Sequence, residues 1–150
     1  MSARPGAPRD EHGGAAASSV CSLLQLEHFA DERGWLNVAQ VGGALPFVAR
    51  RFYFIGDVPE GVTRGLHGHR SIQQLFVAVR GRVHVELRAR GVARQIVLDR
   101  PDMGLHLTAS IWSSQRFEAG AILLVLASGE YDPAGYIHDP LQMTGDVGHE

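Results

Sequence analysis

Residues 61–81 read GVTRGLHGHRSIQQLFVAVRG, and this stretch decides the fold of the chain. His67 and His69 are two residues apart, and side chains two apart on a β-strand point to the same face. Residues 75–79 form a continuous apolar run, which is typical of a strand buried on both faces. Arg80 and Gly81 then provide a turn. The stretch therefore predicts two strands, the first of which carries a pair of imidazoles on one face.

Short segments with strand character surround this stretch on both sides. Residues 47–54 (FVARRFYF) alternate large and polar side chains, and residues 83–87 (VHVEL) alternate strictly. Turn signals recur roughly every ten residues, and no segment has a long helical period. This pattern predicts an all-β, single-domain antiparallel sandwich or barrel, with the jelly roll favoured. Further strands are predicted at 95–98, 105–108 and 122–126, and a short helix or lid segment at 132–143.

Composition places the chain among ordinary single-domain proteins. A chain of 150 residues with a net charge of −2 has no basic excess, so we expect no nucleic-acid partner. The longest apolar run, residues 121–127, is far too short to cross a membrane, and we expect no membrane association. The N-terminus does not follow the pattern of a secretory signal. Cys21 is the only cysteine, which excludes an internal disulfide and favours a reducing, cytoplasmic location.

The chain is predicted to contain one folded domain between two tails. Residues 1–20 consist mainly of Gly, Ala, Ser and Pro with scattered charge, and we expect this tail to be disordered. The domain is placed at residues 21–143, with a C-terminal tail at 144–150. All fourteen basic residues are Arg, and the absence of Lys excludes a Schiff-base or P-loop lysine. Any site for an anion must therefore use Arg, His or backbone N–H groups.

The spacing in residues 61–81 resembles the first cupin motif, G-x5-H-x-H-x3,4-E-x6-G. Gly61, His67, His69 and Gly81 match, while Gln74 stands at the position of the glutamate. In metal cupins the two histidines join that glutamate and a later histidine around one ion. A neutral amide is a poor ligand for a divalent ion, and two histidines alone hold a transition metal weakly. We therefore expect no metal and no cofactor.

A closer resemblance covers most of residues 22–143. The stretch PFVARRFYFIGDVPEGVTRGLHGHRSIQQLFVAVRG is similar to the cupin-type sugar 3,4-ketoisomerases, as are DERGWL at 31–36, IVLDRPDMGLHL at 96–107 and VLASGEYDPAGYIHD at 125–139. The resemblance implies a metal-independent homodimeric jelly roll. Its substrate would be a dTDP-linked 4-keto-6-deoxy sugar, converted through an enediol into the 3-keto isomer used to make deoxyaminosugars.

The resemblance also implies roles for individual residues. His67 matches the histidine usually assigned as the base, His69 its partner, and Tyr53 the active-site tyrosine. A base, a group that returns the proton and a donor to the developing oxyanion are what this proton transfer requires. The remaining matches are expected to bind substrate; they are Arg51, Arg64, Gln74 and Trp112.

Three departures from the family pattern leave other functions open. After Trp112 the family usually reads W-H-E-M, whereas this chain reads WSSQRF with Ser113 in place of His. His106 stands where an aromatic residue is common, and we expect it and Ser113 near the mouth or wall of the pocket. Gly68 replaces an Ala between the histidines. One alternative is a related sugar-nucleotide epimerase or isomerase with a different outcome. Another is a cupin that binds a nucleotide sugar without catalysis. A metal-dependent dioxygenase is the weakest alternative.

Overall fold

The structure is a computed structural model, and it describes residues 20–149. Nearly the whole predicted N-terminal tail therefore lies outside the described residues. The described chain forms twelve β-strands and two 3₁₀ turns, and none of its residues is in an α-helix. The strands are β1 (Ser22–Gln25), β2 (Glu27–Asp31), β3 (Gly34–Val38), β4 (Arg51–Ile55), β5 (Thr63–His69), β6 (Gln74–Arg80), β7 (Val83–Ala89), β8 (Val92–Leu98), β9 (Met103–Leu107), β10 (Trp112–Phe117), β11 (Ile122–Ala127) and β12 (Tyr136–Ile137), and the 3₁₀ turns are Pro133–Gly135 and Pro140–Gln142.

Ten of these strands form two five-stranded antiparallel sheets. One sheet has the order β1-β9-β6-β11-β4, and the other has the order β12-β5-β10-β7-β8. Side chains from both sheets meet in one core, to which β7 contributes Val83, Val85 and Leu87, and β11 contributes Leu123 and Val125. The strict alternation seen in these strands places one face on the core. The predicted all-β jelly-roll class is confirmed.

Strand β6 is buried on both faces, as its continuous apolar sequence predicts. Phe76 and Ala78 face the core between the sheets. Leu75 and Val77 face the other way, into a second apolar cluster that also contains Phe47. Residues 47–50 were predicted to begin a strand, but the strand begins at Arg51. The difference arises because Phe47 and Ala49 pack over the outer side of the sheet. Only Arg50 of this segment reaches the neighbouring strand, where its N–H donates to the carbonyl oxygen of Ala127.

The hairpin formed by β2 and β3 stands apart from both sheets. Each of its strands pairs with the other and with no further strand of the described chain. Its large apolar side chains are exposed, with Trp35 at 58% and Leu36 at 61%. On the outer face of β4, Phe52 and Phe54 are also exposed, at 66% and 63%. The fold therefore presents two uncovered apolar surfaces on the N-terminal half of the chain.

The C-terminal residues pack on the domain instead of extending from it. Val147 is buried in the core, and the N–H of Gly145 donates to the carbonyl of Ser110. Asp146 forms a bridge with Val20. The boundary predicted after residue 143 thus falls inside packed chain, because an apolar side chain four residues later completes the core. No helix of the described residues is long and apolar enough to cross a bilayer.

Candidate active site

His67 and His69 lie on β5 and point to the same inner face, as their spacing predicts. Their ring centroids are 5.2 Å apart and their planes are nearly perpendicular, at 83°. The pairing of β5 with β10 shifts register at Leu66, which has a φ of +61° and forms a β-bulge. The two histidines follow this bulge directly. The bulge re-aims the strand at the site, which is a common function of bulges beside functional residues.

The position of the His67 ring is set by its own strand. Nδ1 of His67 lies 2.9 Å from the carbonyl oxygen of Gly65. A carbonyl oxygen can only accept a hydrogen bond, so Nδ1 of the neutral ring carries the proton. Nε2 then holds a free lone pair. This tautomer is the one that a general base at Nε2 requires.

His69 is buried at 3% exposure, and neither of its ring nitrogens has a hydrogen-bond partner among the described residues. Burial is the largest of three effects that together lower its pKa from 6.5 to about 4, and the nearby His67 and Arg51 are the other two. His69 is therefore neutral at neutral pH. A buried polar group without a partner costs free energy, and such groups in a folded protein call for a ligand, a water molecule or a functional reason.

Tyr53 reaches the same inner face from β4 in the opposite sheet. The amide Nε2 of Gln74 donates to its hydroxyl oxygen at 3.2 Å, and the guanidinium of Arg51 lies 5.2 Å from its ring centroid. Burial raises the pKa of Tyr53, while the positive charges of Arg51 and Arg64 partly oppose this effect. The phenol is thus neutral at neutral pH. Because Gln74 donates to the phenol oxygen, the phenol proton is free to be donated elsewhere.

Arg51 completes the group and has an unsatisfied nitrogen of its own. Its guanidinium also lies 5.6 Å from the ring centroid of Tyr131, and its Nε is buried without a partner in the described chain. Arg64 lies on β5 and is exposed. The structure thus brings six of the seven predicted site residues to one region; they are Tyr53, His67, His69, Arg51, Arg64 and Gln74.

Trp112 is the predicted site residue that the structure places elsewhere. Its Cα pairs with Gly68 on one side and Arg88 on the other, so its side chain is on the strand face opposite His67. The guanidinium of Arg88 lies 5.5 Å from its ring centroid. Its indole N–H donates to the carbonyl oxygen of His138 at 3.0 Å. Trp112 therefore holds a neighbouring segment of chain and does not face the histidine pair.

Ser113 and His106, the two departures from the family pattern that were expected at the pocket wall, lie on different sides of the structure. Ser113 pairs with His67 and is buried on the inner face, where its hydroxyl accepts from the amide of Gln115 at 2.9 Å. The expectation for His106 is wrong. His106 pairs with Leu75 on the outer side of the sheet, 1% exposed, and its Nε2 lies 2.9 Å from Oε1 of Gln73. An outer apolar layer covers β9, so this buried position is away from the site.

Tyr136 belongs to the site although we predicted no role for it. It lies on β12, which pairs with the edge of β5 so that Tyr136 is directly opposite His69. Its ring is stacked on that of His67, with centroids 4.4 Å apart and planes within 5°. The only sequence signal was its place in the YIHD segment of the family resemblance, and that segment assigned it no function. No group of three His, Cys, Asp or Glu residues suited to a metal ion occurs in residues 20–149.

Comparison with known proteins identifies the family of this chain. The profile of the family described as "FdtA: WxcM-like, C-terminal" matches residues 19–145. The chain belongs to this family. It is 30% identical over 116 residues to the TDP-4-oxo-6-deoxy-alpha-D-glucose-3,4-oxoisomerase of Aneurinibacillus thermoaerophilus, a match that covers 77% of this chain and 84% of the relative. The resemblance to sugar 3,4-ketoisomerases predicted from the sequence is confirmed.

Two solved structures of sugar 3,4-ketoisomerases are similar to this chain over most of its length. The TDP-quinovose 3,4-ketoisomerase WlaRB of Campylobacter jejuni is 35% identical with a TM-score of 0.76, and the match covers 79% of this chain and 92% of WlaRB. A His-to-Asn variant of the 3,4-ketoisomerase QdtA of Thermoanaerobacterium thermosaccharolyticum, in complex with TDP-4-keto-6-deoxyglucose, is 31% identical with a TM-score of 0.77, covering 79% of this chain and 87% of QdtA. The FdtA-family chain thus shares both sequence and fold with enzymes of this reaction class.

Proposed function

We propose that this protein is a dTDP-4-keto-6-deoxyhexose 3,4-ketoisomerase that acts without a metal. The observation that carries the proposal is the set of buried polar atoms without partners on the inner face. Both ring nitrogens of His69 and the Nε of Arg51 are in this state in the described chain. A polar, partly anionic ligand placed between them would satisfy these atoms, and a nucleotide-linked keto sugar has both properties.

The reaction needs one base and a path for protons. His67 Nε2 removes the proton from C3 of the sugar, and the electrons of that C–H bond form a C3–C4 double bond while the C4 carbonyl oxygen becomes an enediolate oxygen. The hydroxyl proton on the C3 oxygen moves to the C4 oxygen. A proton returned to C4 then leaves a ketone at C3 and a hydroxyl at C4. Atoms and charge balance without an oxidant, a reductant or a cofactor.

The neighbouring groups support this path. A neutral His69 beside His67 carries no charge that would oppose the formation of an imidazolium at His67. The phenol of Tyr53 keeps its proton and can donate it to the developing oxyanion, since Gln74 occupies the phenol oxygen as a donor. Preorganised donors of this kind commonly supply a large share of the rate enhancement.

Arg51 and Arg64 are proposed to hold the pyrophosphate or the sugar. A guanidinium matches the geometry of phosphate oxygens and stays charged at all relevant pH values. Arg51 is already oriented by the rings of Tyr53 and Tyr131. A cytoplasmic location is part of the proposal, and the lone buried thiol of Cys21 suits a reducing compartment.

A homodimer is also part of the proposal. Contiguous exposed apolar surfaces on a small protein usually mark an interface. Both surfaces, on the β2–β3 hairpin and on the outer face of β4, lie in the N-terminal half of the chain. A two-fold arrangement would let each protomer cover the surface of its partner.

Incubation with enzymatically made dTDP-4-keto-6-deoxyglucose in D₂O, followed by NMR of the product, tests the proposal. We expect deuterium at the new C4–H position, a 3-keto product, and loss of both in His67→Asn. Ser113 lies on the inner face where the family usually has His, and this favours an epimerase as the second candidate. Deuterium at C3 with inverted configuration there and the ketone still at C4 would indicate that epimerase. Binding without any exchange would indicate a nucleotide-sugar-binding protein and would refute catalysis on this substrate.

A further inference from the structure

Tyr136 contacts both histidines of the site. Its ring lies parallel to that of His67, with centroids 4.4 Å apart, and perpendicular to that of His69, with centroids 4.7 Å apart. The perpendicular contact follows from the strand pairing, because Tyr136 and His69 are directly opposite each other. The parallel contact places the phenol ring against one face of the His67 imidazole. Within residues 20–149 that ring has one hydrogen bond, from Nδ1 to the carbonyl oxygen of Gly65, and this bond alone leaves rotation about its axis unopposed.

The segment that carries Tyr136 is itself held in place. We call residues 131–143 the strap. Asp132 caps its first 3₁₀ turn by accepting from the N–H of Ala134, and the N–H of Arg70 donates to the carbonyl of Gly135. Ile137, next to Tyr136, is buried in the core. Trp112 donates its indole N–H to the carbonyl of His138 at 3.0 Å. The strap is therefore anchored on both sides of Tyr136.

We propose that Tyr136 is a positioning residue that holds the His67 imidazole in the plane from which Nε2 reaches the substrate, and that Trp112 acts with it by anchoring the strap. The proposal rests on the function proposed above, in which His67 is the base. The stack and the Gly65 hydrogen bond together fix both the plane and the tautomer of the ring. This assigns Trp112 an effect on catalysis although its side chain is on the far side of the strand.

The proposal predicts a difference between losing the ring of Tyr136 and losing only its hydroxyl. Tyr136→Phe keeps the stack, so kcat should change by no more than about twofold. Tyr136→Leu removes the stack, and misplacing a catalytic group by about 1 Å can cost up to about a hundredfold. We expect kcat to fall by about 10- to 100-fold in Tyr136→Leu, with KM changed by less than about threefold. Leu141→Ala, at an 82% exposed position in the same strap, is the matched control and should behave as wild type.

Nitrogen-15 NMR of histidine-labelled protein gives a readout that does not need turnover. His67 is assigned by the loss of its signals in His67→Asn. We expect a single Nδ1–H tautomer of His67 in wild type, Tyr136→Phe and Leu141→Ala. In Tyr136→Leu the His67 signals should report a mixture of tautomers or broaden through exchange. If Tyr136→Leu does not fold by circular dichroism, Trp112→Phe removes the indole donor and should change the same signals in the same direction.

Two results would overturn the positioning role. An unchanged His67 spectrum in Tyr136→Leu would show that the stack does not order the ring. An equal loss of kcat in Tyr136→Phe and Tyr136→Leu would show that the hydroxyl acts on the substrate directly. If wild type does not convert dTDP-4-keto-6-deoxyglucose, the proposed function fails, while the NMR comparison still decides whether Tyr136 positions His67.

Discussion

The buried His69 should make the protein lose stability as the pH falls below about 6.5, and replacing His69 should remove this loss. Its pKa falls from the ordinary 6.5 to about 4 in the folded protein, mainly through burial. Between these values the unfolded chain binds a proton that the folded chain does not, so the free energy of unfolding decreases as the pH decreases. At about 1.4 kcal/mol per pH unit, the full effect is about 3 kcal/mol, complete near pH 4.

Urea unfolding at pH 7.5 and pH 4.5, at one fixed protein concentration, measures this effect. Wild type and His69→Gln should differ in their pH dependence by about 2.5 kcal/mol over this interval. His69→Asn is the matched control, because its packing differs from that of Gln while neither amide titrates. The two variants should therefore have different stabilities at pH 7.5 but the same change between the two pH values. If wild type and both variants lose the same free energy on acidification, His69 is not held neutral by burial and the reasoning is refuted.

Four further predictions follow from the site and the fold. His67→Asn should lower kcat by at least about a hundredfold and leave TDP affinity within about twofold by calorimetry; an active variant would remove His67 from the role of base. Gly68→Ala should lower the free energy of unfolding by about 1–3 kcal/mol in urea, because the new Cβ would lie 2.2 Å from the carbonyl oxygen of Ile111. Gly56→Ala is the control, since its Cβ would have no neighbour closer than 3.7 Å. Dialysis against EDTA should leave turnover unchanged, and a stoichiometric metal needed for activity would contradict the metal-independent mechanism. Light scattering should give twice the 16.3 kDa chain mass, about 33 kDa, and Phe54→Asp should shift it towards the monomer.

Local periodicity in the sequence determined the features that depend only on neighbouring residues. The two-residue spacing of His67 and His69 placed both imidazoles on one face, since side chains alternate along any β-strand. The apolar run in β6 predicted burial on both faces, and the structure has apolar clusters on each side of it. The alternating segments predicted an antiparallel all-β fold without specifying how the strands are ordered. The family resemblance added Tyr53, Arg51 and Gln74, none of which periodicity could assign to a site.

The tertiary structure decided which face of each strand looks inward and which distant residues meet there. Trp112 and His106 were assigned to the pocket from the family resemblance, yet the strand register places both side chains on faces that point away from it. Tyr136 meets His67 because β12 pairs with the edge of β5, a contact between segments 69 residues apart along the chain. Val147 completes the core for the same reason. Periodicity is a property of one strand, whereas register, bulges and edge pairing depend on the partner strand, and no local pattern encodes that partner.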